Sequence, residues 1–126
     1  MISWTDSVCS VLSQTTGKDD RILVVDDDPT STALLSRMLE QWGYEDVFVT
    51  NESSAAVGLC RRTQPDLVLL DVMMPKVSGF DVLDILRNTP ETANLKIVML
   101  TALSQDSDKQ RAETLGVDDY LVKSQW

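Results

Sequence analysis

Short apolar runs alternate along the chain with longer segments whose apolar residues recur at helical spacing. Such runs are typical of strands in a buried sheet, and they predict strands at 22–25, 47–50, 67–70, 97–100 and 120–122. Between them, residues such as Leu35, Leu39 and Trp42 fall on one face of a helix. Strands that alternate with helices in this way predict an α/β domain with a parallel sheet.

Turn residues and capping residues indicate where the helices begin. Pro29 suits the first turn of the helix after the first strand, and Asp28 is interpreted as its N-cap. Asn51 or Ser53 is predicted to cap the next helix. The segment 104–115 is strongly polar, and we expect it to form a loosely packed, mobile helix.

The two ends of the chain give separate expectations. Apolar residues at helical spacing predict a helix near residues 4 to 14, so residues 1–20 are expected to be an N-terminal extension and residues 21–126 the main domain. Only three residues follow Lys123, too few for a last helix over the fifth strand. Three explanations stay open for this gap: the chain is part of a longer protein, the N-terminal helix fills it, or a second copy covers it.

Charge and cysteine content exclude several classes of function. Eleven basic residues against 20 acidic ones give a net charge of -9, which disfavours direct binding to nucleic acid or to anionic membranes. Cys9 and Cys60 are too few for a disulfide framework, and without histidine a zinc site lacks its usual ligands. No apolar run approaches the length of a membrane span, so we expect a cytoplasmic protein.

Five polar residues stand at the predicted carboxyl ends of the strands: Asp26, Asp27, Asp71, Thr101 and Lys123. Doubly wound sheets bind ligands at this edge, where the winding direction reverses. If the strand order is 2-1-3-4-5, the first and third strands are neighbours, and the three carboxylates share one small volume. A divalent cation would offset their repulsion, and Mg²⁺ prefers such oxygen ligands.

The same residues suit phosphoryl transfer. This reaction needs an in-line nucleophile, a metal and donor groups around the transferred oxygens. Asp71 would be the nucleophile that forms an aspartyl-phosphate, Thr101 would donate its hydroxyl, and Lys123 would pair with the phosphoryl charge.

Four motifs in this order resemble the response-regulator receiver family across residues 21–123. They are Ile22-Leu-Val-Val-Asp26-Asp27-Asp28-Pro29, Asp71-Val-Met-Met-Pro75 with Gly79, Leu100-Thr101-Ala102 and Tyr120-Leu-Val-Lys123. The resemblance implies a flavodoxin-like, doubly wound five-stranded sheet in the order 2-1-3-4-5.

The resemblance also implies roles for single residues. Asp26, Asp27, Asp71 and the backbone carbonyl of Met73 would bind Mg²⁺, and Asp71 would be phosphorylated. Thr101 and Lys123 would contact the phosphoryl group.

The family further implies a switch and partners. Thr101 and Tyr120 would rearrange on phosphorylation and remodel the neighbouring surface. The donor would be a sensor histidine kinase or a phosphotransfer protein, and a homodimer or a downstream effector domain would be further partners. The domain would not be an enzyme beyond its own phosphorylation and dephosphorylation.

Two departures from the family pattern generate hypotheses. Ser124 follows Lys123 where the family usually has proline, which puts the customary cis peptide in doubt. Met73 and Leu103 place apolar side chains two residues beyond Asp71 and Thr101, positions that tune the access of attacking water in the family. We therefore expect slow autodephosphorylation.

An enzyme is the alternative. The segment Asp26-x-Asp28-x-Thr30 also resembles the first motif of haloacid-dehalogenase-type phosphatases, with Asp26 as nucleophile and Asp28 as general acid. Thr101 and the pair Asp118-Asp119 would complete that site. A receiver-like module that never takes phosphate is disfavoured, because every chemical group for the reaction is present.

Overall fold

A five-stranded parallel sheet in the order β2-β1-β3-β4-β5 forms the centre of the molecule. The structure is a computed structural model, and it describes residues 4–123. The strands are β1 (Ile22–Val25), β2 (Val47–Thr50), β3 (Leu67–Leu70), β4 (Lys96–Thr101) and β5 (Asp119–Val122). The predicted fold class and strand order are confirmed, and β4 and β5 are slightly longer than the sequence predicted.

Helices connect the strands and cover both faces of the sheet. They are α1 (Trp4–Thr15), α2 (Pro29–Gln41), α3 (Ala56–Thr63), α4 (Gly79–Arg87) and α5 (Asp106–Thr114), with a short 3-10 helix at Ser53–Ala55 before α3. Asp28 caps α2 as predicted, since its side chain accepts a hydrogen bond from the Thr30 N–H.

Alternate residues of the strands point to two separate apolar clusters. On one face, Leu23 and Val25 of β1 pack with residues of α3, α4 and α5. On the other face, Ile22 and Val24 pack with residues of α1 and α2. Because successive side chains of a strand point to opposite faces, each all-apolar strand contributes to both clusters.

Helix α1 is part of the second cluster. Its Val8 and Leu12 are fully buried there, and Leu121 of β5 is packed against the same cluster. Helix α1 contacts β5. Of the explanations for the uncovered sheet, the structure therefore shows the N-terminal helix in that place. The division of the chain near residue 20 stays a prediction, and the peptide after Lys123 lies outside the described residues.

The segment between α1 and β1 is fixed to the body of the domain. The Thr16 hydroxyl lies 2.7 Å from the Tyr44 hydroxyl. The Lys18 ammonium lies 4.4 Å from the centroid of the Tyr44 ring, a cation–π distance. Gly17 donates its N–H to the Asp20 carboxylate at 2.9 Å. These contacts fix the orientation in which α1 enters the fold.

The predicted cap of α3 is wrong. The residue at the N-cap is Ala55, which makes no side-chain capping hydrogen bond. Asn51 instead donates to the backbone carbonyl of Asp26, and Ser53 donates to the backbone carbonyl of Pro75. Both side chains therefore contact other loops of the domain rather than the helix that follows them.

Both cysteines are free thiols, as the sequence suggested. Cys60 is buried, and burial raises the pKa of its thiol to about 11, so the reactive thiolate is disfavoured. Cys9 is partly exposed. Separately, no helix within residues 4–123 is both long enough and apolar enough to span a membrane.

Truncation of Leu12 tests whether α1 belongs to the core. Leu12 is 1% exposed, and we expect Leu12→Ala to lower the free energy of unfolding by about 2–5 kcal/mol, because the change leaves a cavity. Urea unfolding followed by circular dichroism measures this. Gln14→Ala, on the exposed side of α1, is the control and should change stability little. Equal stabilities of the two variants would show that α1 does not contribute to the core.

Candidate functional site

Three carboxylates meet at the carboxyl ends of two neighbouring strands. Asp26 and Asp27 follow β1, and Asp71 follows β3. The two strands are paired in register, with Val25 opposite Leu70. One oxygen from each of the three carboxylates lies within 4.8 Å of the others. The structure thus brings together the acidic residues that the sequence analysis placed in one volume.

The cluster is electrostatically unfavourable without a cation. Asp26 is 3% exposed and Asp71 is 9% exposed. Burial, together with the charge of Asp26, raises the pKa of Asp71 from 3.8 to about 6, while Lys123 and Thr101 act in the opposite direction. Added positive charge would therefore stabilise the ionised form of Asp71.

The carboxylates are oriented by neighbouring donors. Asp71 accepts a hydrogen bond from the Val72 N–H at 2.7 Å, and Asp26 accepts one from the Asp28 N–H at 3.0 Å. The other Asp26 oxygen lies 2.7 Å from the Lys123 ammonium. Lys123 thus reaches the cluster from the end of β5, and in this structure its direct partner is Asp26.

Thr101 connects the cluster to β5. Its side chain is fully buried, and its hydroxyl lies near enough to Asp71 to lower the pKa of that carboxyl. The Thr101 Oγ1 accepts a hydrogen bond from the Leu103 N–H at 3.3 Å. The Tyr120 hydroxyl donates to the Leu103 carbonyl at 2.9 Å, and Tyr120 is only 7% exposed. The Tyr120 ring therefore points inward, and a short series of contacts joins it to Asp71.

The loop between β3 and α4 approaches the phosphoacceptor candidate closely. A Cβ atom at Gly79 would lie 2.1 Å from the Asp71 carbonyl oxygen and 2.7 Å from the Val72 Cα, so only glycine fits. Met73 exposes 58% of its surface, so its side chain is not part of the core. Lys76 has a φ of 70°, in the left-handed region.

The residues present fit a hard divalent cation. Asp26, Asp27 and Asp71 offer oxygen ligands within 4.8 Å of one another, and burial, together with the charge of Asp26, raises the pKa of Asp71. Mg²⁺ is usually held by one or two carboxylates, with water and phosphate oxygens completing an octahedron. The donor set therefore matches the ion that the sequence analysis predicted.

The alternative phosphatase site is not assembled. The Asp118 carboxylate accepts hydrogen bonds from the Ile97 N–H at 2.7 Å and from Arg87 at 2.8 Å. It therefore lies at the amino end of β4, the edge opposite Asp26. Asp28, the proposed general acid, caps α2. The structure thus separates the groups that this alternative would need to bring together.

Sequence analysis missed two side chains that contact the loops of the site. Asn51 and Ser53 follow β2, and they were assigned to a helix cap. The signal that could have revealed them is positional, because β2 is the neighbour of β1 and its carboxyl end lies at the same edge of the sheet.

The acidic cluster is buried where the winding direction of the sheet reverses, which is where doubly wound α/β domains bind ligands. Its carboxylate oxygens are suited to binding a cation. A family model described as the response regulator receiver domain matches residues 22–125. The chain belongs to this family, whose domains are the receivers of two-component signalling.

Curated relatives agree with this assignment. The DNA-binding dual master transcriptional regulator RpaA of Synechocystis is 46% identical over 103 residues, which are 82% of this chain and 42% of that protein. Protein PilH of Pseudomonas aeruginosa is 37% identical, over 82% of this chain and 84% of its own length. The chain therefore spans less than half of the first relative and most of the second.

Solved structures show the same fold. The chemotaxis protein CheY4 of Vibrio cholerae has a TM-score of 0.79 at 26% identity, with 86% of this chain and 89% of that chain covered. The BeF3-activated N-terminal receiver domain of Klebsiella pneumoniae RstA has a TM-score of 0.77 at 32% identity, covering 85% and 88%. No haloacid-dehalogenase-type protein appears among these relatives and structures.

Removal of the Asp71 charge should stabilise the metal-free domain. The pKa of Asp71 is higher in the folded state than its ordinary value, so ionisation of Asp71 destabilises the folded state. This destabilisation is absent below pH 3.8 and complete above about pH 6. Asp71→Asn should therefore raise the melting temperature by roughly 3–5 °C at a pH well above 6, corresponding to about 1 kcal/mol.

Differential scanning calorimetry with a chelator present measures this change. The difference between variant and wild type should shrink at a pH well below 6, and Mg²⁺ should stabilise the wild type more than Asp71→Asn. Asp84→Asn, an exposed change on α4, is the matched control. A metal-free Asp71→Asn variant that melts below the wild type would contradict this electrostatic account.

Proposed function

We propose that this domain accepts a phosphoryl group on Asp71 in a Mg²⁺-dependent reaction and signals through a changed interaction surface. The observation that carries the proposal is the grouping of Asp26, Asp27 and Asp71 within 4.8 Å, with the Lys123 ammonium 2.7 Å from Asp26. The buried hydroxyl of Thr101 lowers the pKa of Asp71 from nearby. A carboxylate nucleophile, a cation site and two hydrogen-bond donors thus lie at one edge of the sheet.

The chain's own residues would position the reacting groups. A carboxylate oxygen of Asp71 forms a bond to phosphorus as the bond from phosphorus to the donor's histidine nitrogen breaks. The Thr101 hydroxyl and the Lys123 ammonium would then hold the phosphoryl oxygens, so Lys123 would exchange its present contact with Asp26 for one with the phosphoryl group.

Asp26, Asp27, Asp71 and the backbone carbonyl of Met73 would hold the ion. When bound, Mg²⁺ would supply positive charge that offsets the carboxylates and the transferred oxygens. A response regulator solved in its Mn²⁺-bound form has a TM-score of 0.78 to this chain at 25% identity, which supports the binding of a divalent cation.

Thr101 and Tyr120 would carry the switch. A phosphoryl group on Asp71 has a charge near -2. A conformation in which the Thr101 hydroxyl donates to that group would therefore be favoured over one in which it does not. Thr101 and Tyr120 both form a hydrogen bond with the backbone of Leu103. A movement of Thr101 would therefore change the environment of Tyr120. The surface around α5 and β5 would change as a result.

The partners follow from family membership. We propose that a sensor histidine kinase or a phosphotransfer protein is the donor, and that an effector domain or a second copy receives the signal. With a net charge of -9, any DNA binding of the kind named for the Synechocystis relative would belong to another domain. The domain would act in the cytoplasm, and it would catalyse only its own phosphorylation and dephosphorylation.

Trapping of the acyl phosphate tests the proposal directly. The protein is incubated with acetyl phosphate and Mg²⁺, the product is reduced with borohydride, and the modified residue is mapped by mass spectrometry. We expect modification at Asp71, and none in Asp71→Asn or in the presence of excess chelator. Asp28→Asn is the control that should still be modified. Modification at Asp26 instead would overturn the assignment in favour of the phosphatase-type nucleophile.

We expect the phosphorylated domain to lose its phosphoryl group slowly. The exposed side chain of Met73 and the partly buried one of Leu103 offer an attacking water no hydrogen-bond partner. Met73→Asn should shorten the half-life several-fold, as measured by the amount of acyl phosphate that borohydride still traps at successive times after the phosphodonor is removed. Ile85→Asn, an exposed apolar position on α4, should leave it unchanged. A wild-type half-life of only seconds would disprove this hypothesis.

A further inference from the structure

Asn51 contacts the loop that carries Asp26 and Asp27. Its side-chain amide donates to the backbone carbonyl of Asp26 at 2.9 Å and to the hydroxyl of Thr32 at 3.0 Å. Thr32 belongs to the first turn of α2 and is 4% exposed. A single side chain from the end of β2 therefore joins the start of the β1–α2 loop to the helix that follows it.

Ser53 contacts the second loop of the site, between β3 and α4. Its hydroxyl donates to the backbone carbonyl of Pro75 at 2.7 Å and accepts from the Val77 N–H at 3.4 Å. Ser53 is 5% exposed, so water cannot readily replace these contacts. This loop contains Met73, whose carbonyl is the remaining proposed ligand.

The loop that Ser53 contacts has an unusual backbone. The Val77 N–H donates to the Pro75 carbonyl at 2.8 Å in a tight turn, and Lys76 between them has a φ of 70°. A lysine in the left-handed region is disfavoured, and such conformations persist where surrounding contacts determine them. Ser53 supplies such a contact from outside the loop.

We propose that Asn51 and Ser53 form a bridge that positions the ligands of the cation site. We name the pair the β2–α3 bridge. Since both residues lie on one short segment, the bridge fixes the β1–α2 loop relative to the β3–α4 loop. It thereby fixes the Asp26 and Asp27 carboxylates relative to the Met73 carbonyl. This inference rests on the proposed function, because it concerns the same Mg²⁺ site.

Positioning matters for this ion in particular. Mg²⁺ tolerates little departure from octahedral geometry, and partners that orient its ligands contribute strongly to affinity. Neither bridge residue caps α3, and neither side chain packs in an apolar cluster. Loss of the bridge should therefore affect ligand placement more than it affects the stability of the fold.

Ser53→Ala tests the bridge. Calorimetric titration with Mg²⁺ alone should show affinity about tenfold weaker than in the wild type, the effect expected for loss of a group that orients a metal ligand. Amide exchange of residues 72–79 should become faster in the metal-free variant, a readout that needs no ion. Ser53→Thr keeps the hydroxyl and should restore both properties.

Two further variants separate positioning from general destabilisation. Thr92→Val removes another buried hydroxyl, which donates to the Leu86 carbonyl at 2.6 Å before β4, and it should leave Mg²⁺ affinity and exchange of residues 72–79 unchanged. Asn51→Ala should weaken Mg²⁺ binding as Ser53→Ala does, and it keeps the inference testable should Ser53→Ala not fold.

The outcomes distinguish this inference from the proposed function. Wild-type affinity for Mg²⁺ in folded Ser53→Ala and Asn51→Ala would overturn the bridge and leave the proposed function intact. Equal weakening by Thr92→Val would also overturn the bridge, because the effect would then be one of stability. A wild-type protein that binds no Mg²⁺ would overturn both the proposed function and the inference that rests on it.

Discussion

Repulsion between buried carboxylates is the constraint on which the site depends. Asp26 and Asp71 are almost fully buried at the ends of neighbouring strands, and the pKa of Asp71 is raised to about 6. The fold offsets part of this charge with fixed donors and with Lys123, and a divalent cation would offset more of it.

The sheet determines which groups can meet. Because β1 and β3 are adjacent and parallel, residues directly after each strand are neighbours without any long loop. Thr101 and Lys123 arrive in the same way from β4 and β5, and the bridge residue Asn51 arrives from β2. All five strands thus contribute to one edge, so the position of each group is set by backbone pairing more than by loop conformation.

The α/β class and the strand ends could be predicted from the apolar periodicity of the sequence. The strand order, and with it the grouping of the carboxylates, was implied by the resemblance to the receiver family. An apolar run predicts a strand, and the aspartate that follows it, Asp26 or Asp71, indicates where that strand ends. The position of Asn51 and Ser53 after β2 indicates the edge of the sheet on which they lie, but it does not specify their contacts. The same residue types also favour helix caps, and the competing partners are distant in sequence. The sequence also does not determine where α1 packs. An amphipathic pattern predicts that one face of a helix is buried, but it does not specify the surface against which that face packs.

Strand β5 connects the site to both helical layers. Tyr120 faces the cluster of α3, α4 and α5, whereas the next residue, Leu121, is packed against the cluster that contains α1. Lys123, two residues further on, contacts Asp26 directly. Because successive residues of a strand point to opposite faces, a displacement of β5 that moves Lys123 must change the packing in both layers. A displacement of β5 would therefore alter the packing of the N-terminal helix as well as that of α5.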